Sequence, residues 1–190
     1  MGTQVGAALS PAPPSAADPG WRERRRRRQR LARQDRLVAH LAELRRIGEL
    51  VVGARAVVAS GWVQGSWLVH RDDRGGRRGG GAPGRPVSAA CLVGAVVQAG
   101  GGVGALDSQP VQRALDLTWH ALHRDPQEPV RWCPAPPVRL QHVRDLAGWN
   151  DAAGRTRDEV VALLDTAGRL LAAETDRARA AAGVAPAHRP

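Results

Sequence analysis

From Leu31 onward, apolar residues return at helical intervals. Leu37, Leu41, Leu44, Val51 and Val58 recur three, four or seven positions apart, which places them on one stripe of a helix. Gly48 and Gly53 weaken its middle, so the pattern fits one rod or two helices bent near Gly48. Ser60-Gly61 supplies the stop, with Gly61 suited to the left-handed position that follows many helices. A second helix is predicted from Ala89 to about Gln98, capped by Ser88, with Cys91, Ala95 and Gln98 on one side and Leu92, Val96 and Ala99 beside them. The glycines of residues 100–104 end it. Ser108 and Pro110 then give a cap and an early helical proline, and Val111, Ala114, Leu115, Thr118, Trp119 and Leu122 form a wide apolar face.

Residues 125–137 hold five prolines and exclude regular helix or central strand over that stretch. Leu140, Val143 and Leu146 allow a short helix before Gly148, with a strand over residues 138–143 as the alternative. Thr156-Arg157-Asp158-Glu159 has capping-box spacing. The Thr156 hydroxyl can accept from the Glu159 amide while the Glu159 carboxylate accepts from the Thr156 amide. Val160, Leu163, Leu164, Ala167, Leu170 and Leu171 continue as the apolar face of that last helix. Residues 1–20 are rich in Ala, Pro and Ser without an apolar period, and Asp18-Pro19 could cap and open a helix near Trp21. The expected architecture is therefore an all-α, orthogonal or bundle-like domain of four to six helices over residues 31–181, with a flexible Arg/Gly loop at 71–86. Residues 1–30 are expected to be a disordered, Ala/Pro-rich then Arg-rich extension, and residues 182–190 a disordered tail.

Composition changes this picture in two places. The 190 residues carry a net charge of +10 from 28 basic and 18 acidic side chains, and every basic one is arginine. One Ile, one Asn and no Lys, Phe or Tyr indicate a GC-rich coding sequence, so arginine in place of lysine is no sign of phosphate recognition. Where the charge lies is more telling. Residues 22–36 hold nine arginines against Glu23 and Asp35, and residues 71–85 hold five against Asp72 and Asp73, which together account for the whole excess. A solvated, self-repelling segment is the plain account of Arg24, Arg25, Arg26, Arg27 and Arg28; the alternative is a weak, sequence-independent contact with nucleic acid or another polyanion. Two cysteines make no disulfide framework, the first twenty residues lack signal-peptide order, and the apolar run over residues 50–62 is broken by Arg55. A cytoplasmic protein without a membrane span is expected.

Three short motifs stand out: Gly61-Trp62-Val63-Gln64-Gly65, Cys91-Leu92-Val93-Gly94-Ala95, and Trp149-Asn150-Asp151 followed by Arg155-Thr156 and Glu159-Val160. As a set they resemble an uncharacterised bacterial family known only as a domain of unknown function, common in high-GC bacteria. The resemblance spans roughly residues 37–172 and implies a compact helical domain and no particular activity. The Arg/Gly insertion before Cys91 and the Arg-rich extension before Leu37 depart from the family pattern.

Candidate chemistry is sparse. Cys91, in the first turn of a predicted helix, could be a thiolate nucleophile with His120, His123 or His142 as base and Asp151 as orienting group; equally it is a small buried residue. Asp116, His120 and His123 share a helix face at spacings of four and three, a weak metal pattern on a face expected to meet solvent. The glycines of residues 100–104 follow a helix and lack the Gly-Lys-Ser/Thr ending of a phosphate loop, so no cofactor is expected. Trp62, Gln64, Trp149, Asn150 and Asp151 combine aromatic bodies with hydrogen-bonding groups at helix boundaries. They suggest a recognition surface, with Cys91 beside it, for a protein or a small ligand, or else local bracing of the turns. The leading expectation is a non-catalytic binding or accessory domain, ahead of a cysteine-dependent hydrolase or transferase and a nucleic-acid tether.

Overall fold

The computed structural model describes residues 19–71, 77–79, 86–125, 128–130, 132 and 135–183. The chain divides into two units, residues 1–36 and 37–190. Five α-helices and a small sheet follow one another: α1 (Pro19–Ser60), β1 (Leu68–Arg71), β2 (Arg77–Gly79), β3 (Val87–Ala90), α2 (Leu92–Ala99), a 3-10 turn (Val103–Ala105), α3 (Gln109–His123), α4 (Pro136–Asp151) and α5 (Arg157–Ala181).

In the first unit the helix begins at Pro19, so residues 19–30 are helical where a disordered extension was expected; residues 1–18 lie outside the described residues. The local chemistry accounts for this. Pro19 sits at the helix start, where its missing N–H costs nothing, and Arg, Gln, Ala and Leu are all good helix formers. From Trp21 to Arg36 every side chain is exposed.

In the second unit, helices pack around α2, which is buried from Leu92 to Val97. A helix apolar on every side has no solvent face, and α2 accordingly lies inside a core built from Leu44, Ile47, Val51, Ala54 and Val58 of α1, Val111, Ala114, Leu115 and Leu117 of α3, and the predicted face of α5. No break occurs at Gly48. A Cβ there would stand 3.2 Å from Leu171 Cδ2, and one on Gly53 would stand 3.0 Å from Ala99 Cβ, so both glycines mark close approaches of α5 and α2. Gly61 ends α1 for a related reason and not through a left-handed turn: a Cβ would lie 2.1 Å from the Ser88 carbonyl oxygen.

The sheet is the feature that periodicity did not predict. Its order is β2-β1-β3, antiparallel throughout, with Val69 opposite Gly79 on one side and Ala89 on the other. Arg71 and residues 77–79 are thus paired backbone inside the segment expected to be a flexible Arg/Gly loop; residues 72–76 and 80–85 lie outside the described residues. Trp62 adds a parallel bridge to Ala90. Ser88 belongs to β3, where its hydroxyl donates to the Val69 carbonyl, and Cys91 takes the capping position of α2 instead.

Helix α4 overturns the strand alternative for residues 138–143. Pro136 and Pro137 fall in its first turn, where amides need no helical partner, and the helix runs through Gly148 to Asp151. The capping box of α5 forms as its spacing predicts, with the Glu159 amide donating to Thr156 Oγ1 at 3.3 Å and the Thr156 amide to Glu159 Oε2 at 2.8 Å. That bond to the Thr156 amide, helped by the Thr156 hydroxyl, holds the Glu159 carboxyl below its ordinary range.

Candidate functional site

The two tryptophan junctions meet. Asn150, in the last turn of α4, is completely buried and uses its whole side-chain amide. Its Oδ1 accepts from Trp62 Nε1 at 2.9 Å and from the Leu92 amide at 3.0 Å; its Nδ2 donates to the Val63 carbonyl at 3.3 Å and to Asp151 Oδ1 at 2.8 Å. A primary amide offers two donors and two acceptor lone pairs, so nothing is left for an outside ligand. Gln64 Nε2 donates to the carbonyls of Asn150 and Ala152, both at 3.0 Å, and the Gly65 amide donates to Asp151 Oδ1 at 3.0 Å. Trp149 lies beneath the Arg155 guanidinium, 3.9 Å from the ring centre, while Arg155 Nε donates to the Trp149 carbonyl. Trp62, Gln64, Asn150 and Asp151 therefore form one polar knot that joins the α1–β1 link, the start of α2 and the end of α4.

Cys91 sits at the edge of this knot. Its sulfur accepts from the Gly94 amide at 3.4 Å as the cap of α2, and its own amide donates to the Trp67 carbonyl at 3.1 Å. Burial pushes the thiol above its ordinary range and the negative charge of Asp151 adds to this; the amides of Gly94 and Val93 pull the other way and lose. This reverses the lowered value expected from a helix start. In the folded protein, iodoacetamide should leave Cys91 unmodified, whereas the denatured chain is alkylated quickly. Peptide mass spectrometry distinguishes the two, and comparable rates in both states would contradict a buried, protonated thiol.

The face of α3 expected to meet solvent does so at His123 but turns inward at its other two polar positions. Asp116 and His120 are buried, and Asp116 Oδ1 lies 2.9 Å from His142 Nδ1, with Arg139 Nε 3.6 Å from Oδ2. Trp119 stacks on His142 with ring centres 4.0 Å apart and donates its Nε1–H to Asp145 at 2.9 Å. The bonds from Trp119 and Gln141 hold the Asp145 carboxyl below its ordinary range. The Asp116–His142 contact, the Trp119–His142 stack and the Trp119–Asp145 hydrogen bond together clamp α3 to α4. Among the described residues no three His, Cys, Asp or Glu side chains gather as metal ligands. No described helix is long and apolar enough to cross a membrane.

A concavity of about 530 Å³ opens beside this clamp. One side holds Trp67, which follows the knot segment, together with Leu106 and the carboxylate of Asp107 after the 3-10 turn; α4 contributes Arg139, Leu140, Val143 and Arg144. Trp67 is 38% and Leu140 50% exposed, and large apolar side chains left open in a hollow mark a binding surface more than a core. Periodicity gave one hint, the apolar Leu140 and Val143 on a helix of unsettled character. Trp67 carried none.

A search of curated proteins and one of solved structures find no match. A family model described as "Family of unknown function (DUF6197)" matches residues 43–170, which takes in α2 to α4, all three motifs, the knot and the hollow. The chain belongs to that family.

Proposed function

We propose that this chain is a non-catalytic binding domain whose ligand site is the hollow between Trp67 and α4, and that the Asn150 knot positions the walls of that site. The carrying observation is the pairing of open apolar walls with guanidinium groups in one cavity of drug-like size. Its chemistry suits a ligand with an apolar body and a carboxylate, sulfonate or phosphate head. Trp67, Leu140 and Val143 would cover the body, and Arg144 the head, with Arg139 already turned toward Asp116.

The knot explains how the site keeps its width. Asn150 and the groove side chains of α4 lie on one helix, while Trp62 and Gln64 lie just before Trp67 on the opposing wall. Two of the four hydrogen bonds to Asn150, those with Trp62 and Val63, together with the two that Gln64 donates, thus tie one wall to the other, a supporting role of the kind a preorganised site needs. In this reading Trp62, Gln64, Cys91, Trp149, Asn150 and Asp151 serve recognition indirectly.

Anilinonaphthalene sulfonate, an aromatic body with an anionic head, tests the site. The native protein should give a saturable fluorescence rise. Leu140→Asp, at an exposed position, should keep the melting temperature and abolish the signal, and Arg144→Gln should weaken binding about tenfold, the worth of one charge-assisted hydrogen bond. A signal unchanged by both substitutions, or no saturable signal from the native protein, would remove the proposal.

A further inference from the structure

The arginines of the first unit acquire an order that the sequence run alone does not have. At 100° per residue, Arg22, Arg25, Arg26, Arg33 and Arg36 fall within an arc of about 100° on α1, with Gln29 among them. Glu23 and Asp35, the acids of this stretch, both lie outside that arc. The result is a basic stripe without a carboxylate along a helical segment about 27 Å long at 1.5 Å per residue. GC-rich coding accounts for arginine over lysine, but not for the clustering: residues 22–36 hold nine of the chain's 28 arginines and only two of its 18 acids. Like charges three and four apart also destabilise a helix, by a few tenths of a kcal/mol per pair. A polyanion along the stripe removes that repulsion.

We propose that residues 19–36 form a DNA-binding helix that lies in the major groove of B-form duplex, with Arg22, Arg25, Arg26, Arg33 and Arg36 facing the phosphates on either side. The B-form major groove, roughly 12 Å wide, admits an α-helix, and guanidinium groups bridge phosphates well. The A-form groove of duplex RNA is too narrow and deep for such a fit. A lipid surface fits less well, because the side opposite the stripe carries Arg24, Arg27 and Arg28 where an interfacial helix needs apolar residues. Gln29 is the one uncharged polar side chain inside the stripe, so binding is expected to depend little on sequence.

Fluorescence anisotropy with the full chain and a labelled 20-base-pair DNA duplex tests this through two triple variants of equal charge. Arg and Gln have similar helix propensity, so helicity is preserved and circular dichroism verifies it. The triple Arg22→Gln, Arg26→Gln, Arg33→Gln should weaken binding at least tenfold more than Arg24→Gln, Arg27→Gln, Arg28→Gln. It should also reduce the log–log salt slope by about 2 to 3, at about 0.9 per lost phosphate contact. Equal losses in the two triples would mean diffuse charge attraction and overturn the stripe. So would absence of binding at low salt, equal affinity for duplex RNA of the same length, or tighter binding to phosphatidylglycerol vesicles than to the duplex.

Discussion

Replacing Asn150 with alanine should cost about 3 to 5 kcal/mol of folding free energy, several times the change expected at an ordinary surface site. The substitution opens little volume. What it does is orphan the Trp62 indole N–H, the Leu92 amide at the start of α2 and the Val63 carbonyl, together with one hydrogen bond to Asp151. A buried group left unpaired costs about 1 to 3 kcal/mol, and the Leu92 amide is buried. Asn150→Asp separates this from a simple effect of size. It keeps the acceptor for Trp62 and Leu92 but sets a carboxylate oxygen against the Val63 carbonyl and Asp151, in a place with no access to water. It should be at least as damaging as alanine at neutral pH. Urea unfolding reads both, and a loss under about 1 kcal/mol for either would show that the knot carries little of the fold.

Gly94→Ala should unfold the domain or cost about 3 kcal/mol, against the direction that helix propensity alone suggests. Alanine is favoured over glycine inside a helix by about 1 kcal/mol. At Gly94, however, a Cβ would stand 1.9 Å from the Trp67 carbonyl oxygen and 2.6 Å from its carbon. That carbonyl is backbone and already accepts from the Cys91 amide, and α2 is enclosed on all sides, so neither partner can withdraw cheaply. Gly148→Ala is the matched comparison, since nothing lies within 4 Å of its Cβ position in the interior of α4. There the propensity term acts alone and the variant should gain about 0.5 to 1 kcal/mol. If both variants shift the unfolding midpoint in the same direction, the close approach at Gly94 is not what fixes α2.

These glycines show where a linear sequence speaks and where it is silent. The apolar faces of α1, α3 and α5 were legible because a helix repeats its buried positions every three or four residues, and the α5 capping box because both partners lie three apart. The single Asn in a GC-rich sequence was a fair signal that an amide is needed at 150. Trp62, 88 residues away, was grouped with it in one candidate surface, but its Leu92 partner, a backbone amide 58 residues away, was not legible. Asp116 and His142 lie 26 residues apart on different helices, so their pairing was hidden too and a face with Asp116, His120 and His123 read as exposed. The strands stayed hidden for a different reason. Arg77-Arg78-Gly79 pairs with β1 through its backbone and has no alternating apolar positions in its sequence to betray it. The glycines at 61 and 94 read as a turn and a motif position; only the crossing of Ser88 and Trp67 backbone explains why a side chain cannot stand there.

Where the amide of residue 150 lies decides how late in synthesis the interior can be completed. Helix α2 is complete by residue 99, yet its first buried N–H waits for an acceptor that leaves the ribosome more than fifty residues later. Until then the eight apolar-rich residues of that helix have no closed cavity to occupy, and nascent chains stopped short of α4 should stick to one another or to chaperones. The domain closes from its far end.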